Sequence, residues 1–315
     1  MSAGAAALDR PVPPRPRVRH RDRFVGFVEA GFRLHAGFVY VFLFLPILVV
    51  VVFSFNGTNR NVTEWAGFSL KWYERALSDG SVQSALKNSL LIAVINAVLA
   101  TLFGTMAALG LQRVRHRVRL VFDALTYVSV IVPEIVIALA TLILFSLFRD
   151  LANPILATLQ SGSAEPFKIG LGYWSIIAAH VLFNTSLVLL LVRARLSGMD
   201  RTLVEASYDL FATPWRTFRQ ITFPQLLPAI VAGFLLAFTF SFDDVVTSYF
   251  LVGSGTAPLP VVILSMIRFR ITPEINAIGM MVMLFTVTMF TIGFLAVTRL
   301  GRGARRALAL PEGHD

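Results

Sequence analysis

Long apolar runs separated by polar segments dominate the pattern of residues along the chain. They cover about 36–55, 88–111, 120–148, 173–192, 229–252 and 275–298. Each run reaches the length of about 20 residues that an α-helix needs to cross the hydrocarbon core of a bilayer. A further apolar stretch at 259–267 is too short to span. The pattern therefore predicts an all-α integral membrane protein with six transmembrane helices.

The composition supports a membrane protein. Of the 315 residues, 56% are hydrophobic and 15% are charged, whereas soluble domains carry about 25% charged residues. The chain has no cysteine, so it has neither a disulfide framework nor a thiol nucleophile. The net charge of +10 does not indicate nucleic-acid binding, because the basic residues lie at the ends of the apolar runs, as membrane topology requires.

The basic residues are distributed unequally between the two sides of the predicted membrane. The two terminal segments, the turn at 112–119 and the loop at 193–219 hold 20 of them, and the segments on the other side hold eight. Lysine and arginine favour the cytoplasmic side. We therefore expect a multi-pass membrane protein whose termini and 193–219 loop are cytoplasmic.

The polar segment at 200–228, between the fourth and fifth runs, has a helical periodicity. Its mostly apolar positions recur at i, i+3, i+4, i+7 and i+8, on Leu203, Ala206, Ser207, Leu210 and Phe211. This spacing predicts an apolar stripe along a short helix. Glu205 and Asp209 are four residues apart, where like charges repel each other. An acidic pair is unfavourable against anionic lipid, so the pattern favours docking into a protein partner over resting on the membrane surface.

Start and stop signals divide this segment into two short helices. Asp200 is expected to cap the first helix. Thr213 followed by Pro214 predicts the start of the second, with a capping hydroxyl and a proline at the first helical position. Pro224 and Pro228 are expected to end the second helix and to turn the chain back toward the membrane.

The segment resembles the EAA loop of binding-protein-dependent ABC importer permeases. The family pattern is E-A-A, three residues, G, nine residues and I-x-L-P, and this chain keeps every spacing with Glu205-Ala206-Ser207, then Phe211, then Ile221-Thr222-Phe223-Pro224. Serine 207 replaces an alanine of the pattern, and phenylalanines 211 and 223 replace a glycine and a leucine. The family glycine lies at the turn between the helices, where glycine adopts a positive φ freely. Phe211 must therefore bear strain or turn differently.

The resemblance implies that this loop docks on a separate ATPase subunit. The residues expected to form the docking loop are Glu205, Ala206, Ser207, Asp209, Leu210, Phe211, Ile221 and Pro224.

Polar side chains inside the apolar runs are the second informative feature. Asp243 and Asp244 lie in the fifth run, Glu134 follows a proline in the third, and Asn184 lies in the fourth. A carboxylate at the bilayer centre costs at least about 2.5 kcal/mol, so each should face protein or water. If the fifth run is one helix, its two aspartates point about 100° apart. His180 also lies mid-run, where a packing role is the simpler interpretation.

Two interpretations of these polar residues stay open. They either fix the packing of the helices or line a path that attracts cations. No lysine or arginine lies in the middle of a run to neutralise the carboxylates, which favours water or a positively charged substrate. The translocation path candidates are therefore Asp243, Asp244, Glu134 and Asn184.

Three further motifs resemble the spermidine/putrescine branch of these permeases. They are the sequence TFSFDD at 239–244, the sequence TPEINA at 272–277 and the pair Pro133-Glu134. The resemblance covers about 84–298 and implies the type I ABC importer permease fold. It also implies a dimer of ATPase subunits that binds ATP and Mg²⁺, a second and different permease subunit, and an extracytoplasmic solute-binding protein. It implies no cofactor for this chain.

The chain is expected to divide into four parts. Residues 1–35 form a basic, disordered cytoplasmic N-terminus, and 36–83 hold the first transmembrane helix and an extracytoplasmic loop. The transmembrane core of the importer covers 84–298, including the coupling loop at 200–228, and 299–315 form a cytoplasmic tail.

The sequence motifs predict a transport subunit rather than an enzyme. The chain has no G-x-x-x-x-G-K-[ST], H-E-x-x-H or G-x-S-x-G motif. An importer for another small organic solute is the alternative within the family. An ion-coupled secondary transporter would need inverted repeats and broken helices, and no internal repeat is evident. An intramembrane enzyme would need a nucleophile or metal-ligand set, and the acidic residues have no such partners.

Overall fold

The computed structural model describes residues 19–58, 64–160, 168–269 and 272–308. Within these ranges nearly all regular structure is helical, and one isolated antiparallel bridge joins Asn56 to Phe68. Residues 1–18 and 309–315, which include most of the expected disordered N-terminus and part of the expected tail, lie outside the described residues.

The helices follow one another with short connections. They are α1 (Arg19–Ser54), α2 (Lys71–Ser78), α3 (Gly80–Gly110), α4 (His116–Ile131), α5 (Glu134–Leu159), α6 (Tyr173–Ser197), α7 (Thr202–Asp209), α8 (Pro214–Thr217), α9 (Phe223–Phe242), α10 (Val246–Leu251), α11 (Leu259–Phe269) and α12 (Pro273–Leu308). A π-helical turn, Phe218–Thr222, joins α8 to α9.

Six helices of the described chain are long and apolar enough to cross a membrane, as the sequence predicts. They cover Val25–Ser54, Gly80–Gly110, Glu134–Leu159, Tyr173–Ser197, Pro214–Phe242 and Pro273–Arg299. Helix α11 has 11 residues and is too short to span, which also agrees with the sequence analysis. The fold is therefore an all-α membrane fold.

The chain divides into two compact units, Met1–Val52 and Phe53–Asp315. In the first unit, α1 begins at Arg19, whereas the sequence favours disorder over the whole basic N-terminus. The side chains of α1 that the structure describes are exposed as far as residue 50. Since most of those from residue 38 to 50 are apolar, this face suits a lipid environment.

In the second unit, α3, α6 and α9 form the centre of the core. Val188 on α6 lies between Gly104 on α3 and Gly233 on α9. A Cβ atom at Gly104 would come 2.8 Å from Cβ of Val188, and one at Gly233 would come 3.2 Å from its Cγ1. Small residues at such contacts let membrane helices approach closely. Helix α12 packs beside α9, where the rings of Phe242 and Phe285 are 5.0 Å apart.

Two of the predicted spans are interrupted, and this corrects the sequence analysis. The third run does not form one helix, because α4 ends at Ile131 and α5 begins at Glu134. The fifth run is broken after Phe242, and α10 begins only at Val246. In the third run, Pro133 has no N–H to continue the helix and disfavours a helical conformation for the residue before it.

Candidate functional site

The loop between α6 and α9 begins with α7, and its start differs by one residue from the prediction. Arg201 occupies the N-cap position. The carboxylate of Asp200 nevertheless accepts hydrogen bonds from the backbone N and the Oγ1 of Thr202, at 2.9 and 2.8 Å. These bonds lower the pKa of Asp200. Asp200 thus stabilises the first turn of α7, as expected of a residue with this role.

Phe211 terminates α7 with a positive φ of 58°. Two hydrogen bonds complete the turn: Phe211 N donates to Tyr208 O at 2.9 Å, and Ala212 N donates to Ser207 O at 3.0 Å. This is the Schellman arrangement, in which glycine is the usual residue at the left-handed position. Of the two outcomes that the sequence left open, the strained one is observed, and it costs about 1 kcal/mol or more.

Ser207 joins α7 to α8 through a hydrogen bond, a role that its position in the apolar stripe does not indicate. Its hydroxyl lies 2.9 Å from Oγ1 of Thr217, and it donates to the carbonyl oxygen of Val204 at 2.7 Å. Both hydroxyl side chains are buried. The replacement of the family alanine by serine therefore supplies a hydrogen bond between the two short helices. The sequence signal for this bond is a serine inside an apolar stripe, ten residues before a threonine.

The other predicted docking residues form an exposed surface, the docking face: Glu205, Ala206, Asp209, Leu210 and Phe211. The side chains of Leu210 and Phe211 are 82% and 95% exposed, and Trp215 on α8 is 69% exposed. Ile221 is half-buried and Pro224 is exposed. The docking face therefore combines two carboxylates with large apolar side chains that no described residue covers.

The prolines at 224 and 228 do not end the second helix, which corrects the prediction. Helix α8 continues through the π-helical turn into α9 without a break. Pro224 occupies the first turn of α9 and Pro228 lies inside it. At the π-helical turn, the N–H of Phe223 donates five residues back, to the carbonyl oxygen of Phe218. The fifth span therefore begins within the loop itself, at Pro214.

A cavity of about 190 Å³ between α4, α5, α6, α9 and α10 brings together most of the predicted path residues. Glu134, His180, Asn184, Asp244 and Thr247 line it. The rest of its lining is apolar, and none of the described residues that line it is a lysine or an arginine. Asn184 lies near the middle of α6, about 16 Å along the helix from its N-terminal end, so the cavity lies at the level of the membrane interior.

Asp243 does not belong to this cavity. Its side chain is exposed and is absent from the lining. Asp243 occupies the C-cap of α9, and Asp244 follows in the short non-helical segment before α10. The expectation of two carboxylates 100° apart on one helix is therefore wrong, because the helix ends before them. The break points only Asp244 into the cavity.

Asp244 is held by α6 and by the start of α10. Its carboxylate accepts hydrogen bonds from the backbone N of Ser248 at 2.7 Å and of Thr247 at 3.3 Å. Nε2 of His180 lies 2.9 Å from its Oδ2. Asp244 thus caps α10, a usual role for a carboxylate at a helix N-terminus. The sequence could not show this role while the run appeared continuous.

His180 is the residue whose importance sequence reasoning underestimated. It is 4% exposed, and its Nδ1 lies 2.7 Å from Oγ of Ser241 on α9. Both ring nitrogens are therefore engaged. A histidine 61 residues before a serine and 64 before an aspartate gives no local signal, so only the fold reveals the cluster.

Glu134 enters the cavity from the first turn of α5. Its Oε1 accepts a hydrogen bond from Oγ1 of Thr247 at 3.4 Å, and it lines the same cavity as Asp244. Both acidic side chains therefore enter the cavity at interruptions of apolar helices. Irregular backbone at membrane depth is tolerated where it is buried in protein or lines a water-filled space.

Comparison with known proteins identifies the family. A family model described as binding-protein-dependent transport system inner membrane component matches residues 100–306. The chain is 34% identical over 262 residues to the spermidine/putrescine transport system permease protein PotC of Escherichia coli (strain K12), covering 82% of this chain and 92% of the relative. It is 35% identical over 270 residues to the putrescine transport system permease protein PotI of the same strain, covering 85% and 90%.

A solved bacterial alginate ABC transporter, in complex with an alginate pentasaccharide-bound periplasmic protein, contains a similar chain. The TM-score is 0.69 at 14% identity, and the match covers 91% of this chain and 99% of that chain. At this identity the likeness shows the fold alone, and that fold is the one expected from the EAA loop. Together with the family match over most of the chain, it shows that this protein belongs to the binding-protein-dependent transport system inner membrane components, the permeases of ABC importers.

Proposed function

We propose that this chain is the membrane permease subunit of an ATP-driven, binding-protein-dependent importer of polyamines of the spermidine and putrescine class. The observation that carries this proposal is the cavity, where Glu134 and Asp244 meet with no lysine or arginine beside them in the described lining. The side chain of Asp244 is almost fully buried and Glu134 is exposed; carboxylates at membrane depth are costly unless a cation, a proton or water compensates them. The names of the relatives support the same class of substrate.

The proposed path takes a cation past Glu134, Asp244 and Asn184. Asp244 is fixed by His180 and by the start of α10, so it supplies charge without reorganising. Glu134 has one long hydrogen bond to a hydroxyl, which leaves its carboxylate more open to a ligand. Asp243 lies outside the cavity with an exposed side chain, where it attracts cations toward the path.

The docking face is proposed to bind the separate ATPase subunit, which would carry ATP and Mg²⁺. Its apolar side chains are large and exposed, and such surfaces mark sites of protein association. Because α8 continues into α9, a displacement of the loop would be carried along one helix to the break at Asp243. That break borders the cavity, so the fold links the docking face to the proposed path.

The remaining expectations complete the proposal. The importer would contain a dimer of ATPase subunits, a second and non-identical permease subunit and an extracytoplasmic binding protein. The chain would lie in the inner membrane with its termini and the docking face in the cytoplasm, as the distribution of basic residues favours. The division of the chain into four parts, at residues 35, 83 and 298, also stays a prediction.

Reconstitution of the complete complex in proteoliposomes tests the proposed function. We expect ATP inside and binding protein outside to drive uptake of labelled putrescine or spermidine, and omission of either the ATPase or the binding protein to abolish uptake. Uptake driven by a pH gradient alone would overturn the proposal in favour of an ion-coupled transporter. ATP-driven uptake of an uncharged solute, with none of either polyamine, would overturn the proposed substrate class.

A further inference from the structure

Hydrogen bonds to neighbouring groups determine the orientation of the amide group of Asn184. The carbonyl oxygen of Ala237 can only accept, so Asn96 directs its amide nitrogen toward it, at 2.9 Å. The amide oxygen of Asn96 therefore faces Asn184, whose own nitrogen donates to it at 3.4 Å. This chain of bonds leaves Oδ1 of Asn184 on the opposite side of its amide group.

Oδ1 of Asn184 has no hydrogen-bond partner among the described residues. The side chain is 2% exposed and lines the cavity. A buried acceptor without a donor costs about 1–3 kcal/mol, and buried polar groups are nearly always hydrogen-bonded. An unsatisfied acceptor held in this position by two neighbours indicates a donor that arrives with a ligand.

The polar groups around the cavity select the chemistry of that ligand. Glu134, Asp244 and Asn184 line the cavity, and the atom of Asn184 that lacks a partner among the described residues is its neutral amide oxygen. Both nitrogens of His180 are occupied by Ser241 and Asp244, so the histidine offers no donor to a ligand. The rings of Phe183 and Phe240 complete the lining, with centroids 6.1 Å apart. Carboxylate, carbonyl oxygen and aromatic rings together suit a cationic N–H donor.

We propose that Asn184 is a specificity-determining residue of this cavity: its Oδ1 accepts a hydrogen bond from an alkylammonium group whose charge Glu134 balances. The inference rests on the proposed function and specifies which part of the cationic substrate the permease recognises. A primary or secondary ammonium group has N–H bonds to donate, whereas a quaternary ammonium group has none. The cavity therefore discriminates between cations of equal charge by their hydrogen-bond donors.

The test uses the assembled complex of both permease subunits and the ATPase in nanodiscs, without the binding protein, so that only the membrane subunits select. Binding of putrescine is compared with binding of its hexamethylated, bis-quaternary analogue. Asn184→Leu removes the acceptor and keeps a similar volume. We expect it to weaken putrescine binding roughly 10- to 100-fold and to leave binding of the quaternary analogue unchanged.

Thr185→Val is the matched control. Thr185 is the next residue on α6, and its hydroxyl is also buried without a hydrogen-bond partner in the described chain, but it does not line the cavity. We expect this variant to bind both amines like the wild type. Asn184→Ala is the second variant: it removes the same acceptor without adding volume, so it should also weaken putrescine binding and leave binding of the quaternary analogue unchanged.

Unchanged putrescine binding by an assembled Asn184→Leu complex overturns the proposal, as does an equal loss for both amines, which would indicate a packing role. Should that variant not assemble, unchanged putrescine binding by Asn184→Ala overturns it instead. ATP-driven uptake by the wild-type complex distinguishes failure of this inference from failure of the proposed function. If putrescine is imported while Asn184→Leu binds normally, the specificity role alone is wrong, whereas absence of polyamine import overturns the proposed function.

Discussion

Nε2 of His180 lies 2.9 Å from Oδ2 of Asp244, and both side chains are almost fully buried. This contact joins the middle of α6 to the break between α9 and α10. The other ring nitrogen contacts Ser241, on the last turn of α9. The imidazole thus holds the two sides of the break together.

Removal of this imidazole tests its structural contribution. His180→Ala leaves the carboxylate of Asp244 without its side-chain partner, which should destabilise the protein by about 2–3 kcal/mol, the usual value for a hydrogen bond to a charged group. We expect a lower thermal unfolding midpoint of the purified complex. His180→Gln, which retains a donor, should restore part of the difference, and replacement of the exposed His116 by alanine should have no effect. An unchanged midpoint for His180→Ala would show that the contact does not stabilise the fold.

The two aspartates at the break should differ in their response to substitution. Asp244→Asn removes the charge that faces the cavity, whereas Asp243→Asn changes an exposed side chain. We expect both to lower cation uptake with the complex still assembled, and Asp244→Asn to lower it more. The measurement is initial uptake of labelled putrescine at several concentrations, with assembly checked by gel filtration. Normal transport by both variants would remove the aspartates from the path.

The apolar pattern predicted the number and the approximate position of the spans because lipid requires a minimum helical length. It did not predict the interruptions at Pro133 and after Phe242, since apolar residues resume beyond Glu134 and beyond Asp244 and each run has the length of one helix. The two prolines of the loop cause the opposite error, because they predict the end of a helix that in fact continues. The sequence predicts that Pro224 and Pro228 end a helix, but α8, the π-helical turn and α9 are continuous, with Pro224 just after the π-helical turn and Pro228 inside α9.

The candidate site was predictable in part. Glu134, Asp244 and Asn184 were selected because polar residues are costly within a membrane, and the structure brings them to one cavity. The role of His180 is not predictable from the sequence because its partners are distant along the chain. A continuous helix predicts that Asp243 and Asp244 act together, and the break after Phe242 separates them. Phe211 shows the strength of a spacing argument, since its departure from the family glycine identified the left-handed turn.

Ser207 and Thr217 offer a test of how the two loop helices are held together. Their hydroxyl oxygens are 2.9 Å apart and buried, so either single replacement removes the bond between them, although Ser207 keeps its bond to the carbonyl oxygen of Val204. We expect Ser207→Ala and Thr217→Val each to destabilise the loop by about 1 kcal/mol, and the double variant to lose less than the two together. Hydrogen exchange of α7 amides measures the effect. Strict additivity would show that the two hydroxyls do not interact in solution.

The docking face should be sensitive to substitutions that leave the membrane core intact. Leu210→Asp places a third carboxylate in the apolar part of the docking face. Glu205→Ala removes one of the two acidic charges that favour a protein partner over a lipid surface. Since both side chains are exposed, neither change disturbs packing within the chain. We expect each to reduce recovery of the ATPase with the tagged permease at least several-fold, while membrane insertion is unchanged.

Gln220→Ala provides the control for this prediction, because Gln220 is also exposed but lies on the π-helical turn rather than on α7. It should recover the ATPase like the wild type. Equal recovery for all three variants would show that the ATPase binds elsewhere on the permease. Loss with Gln220→Ala alone would move the contact to the π-helical turn, and the exposed apolar side chains of the docking face would then require a different partner.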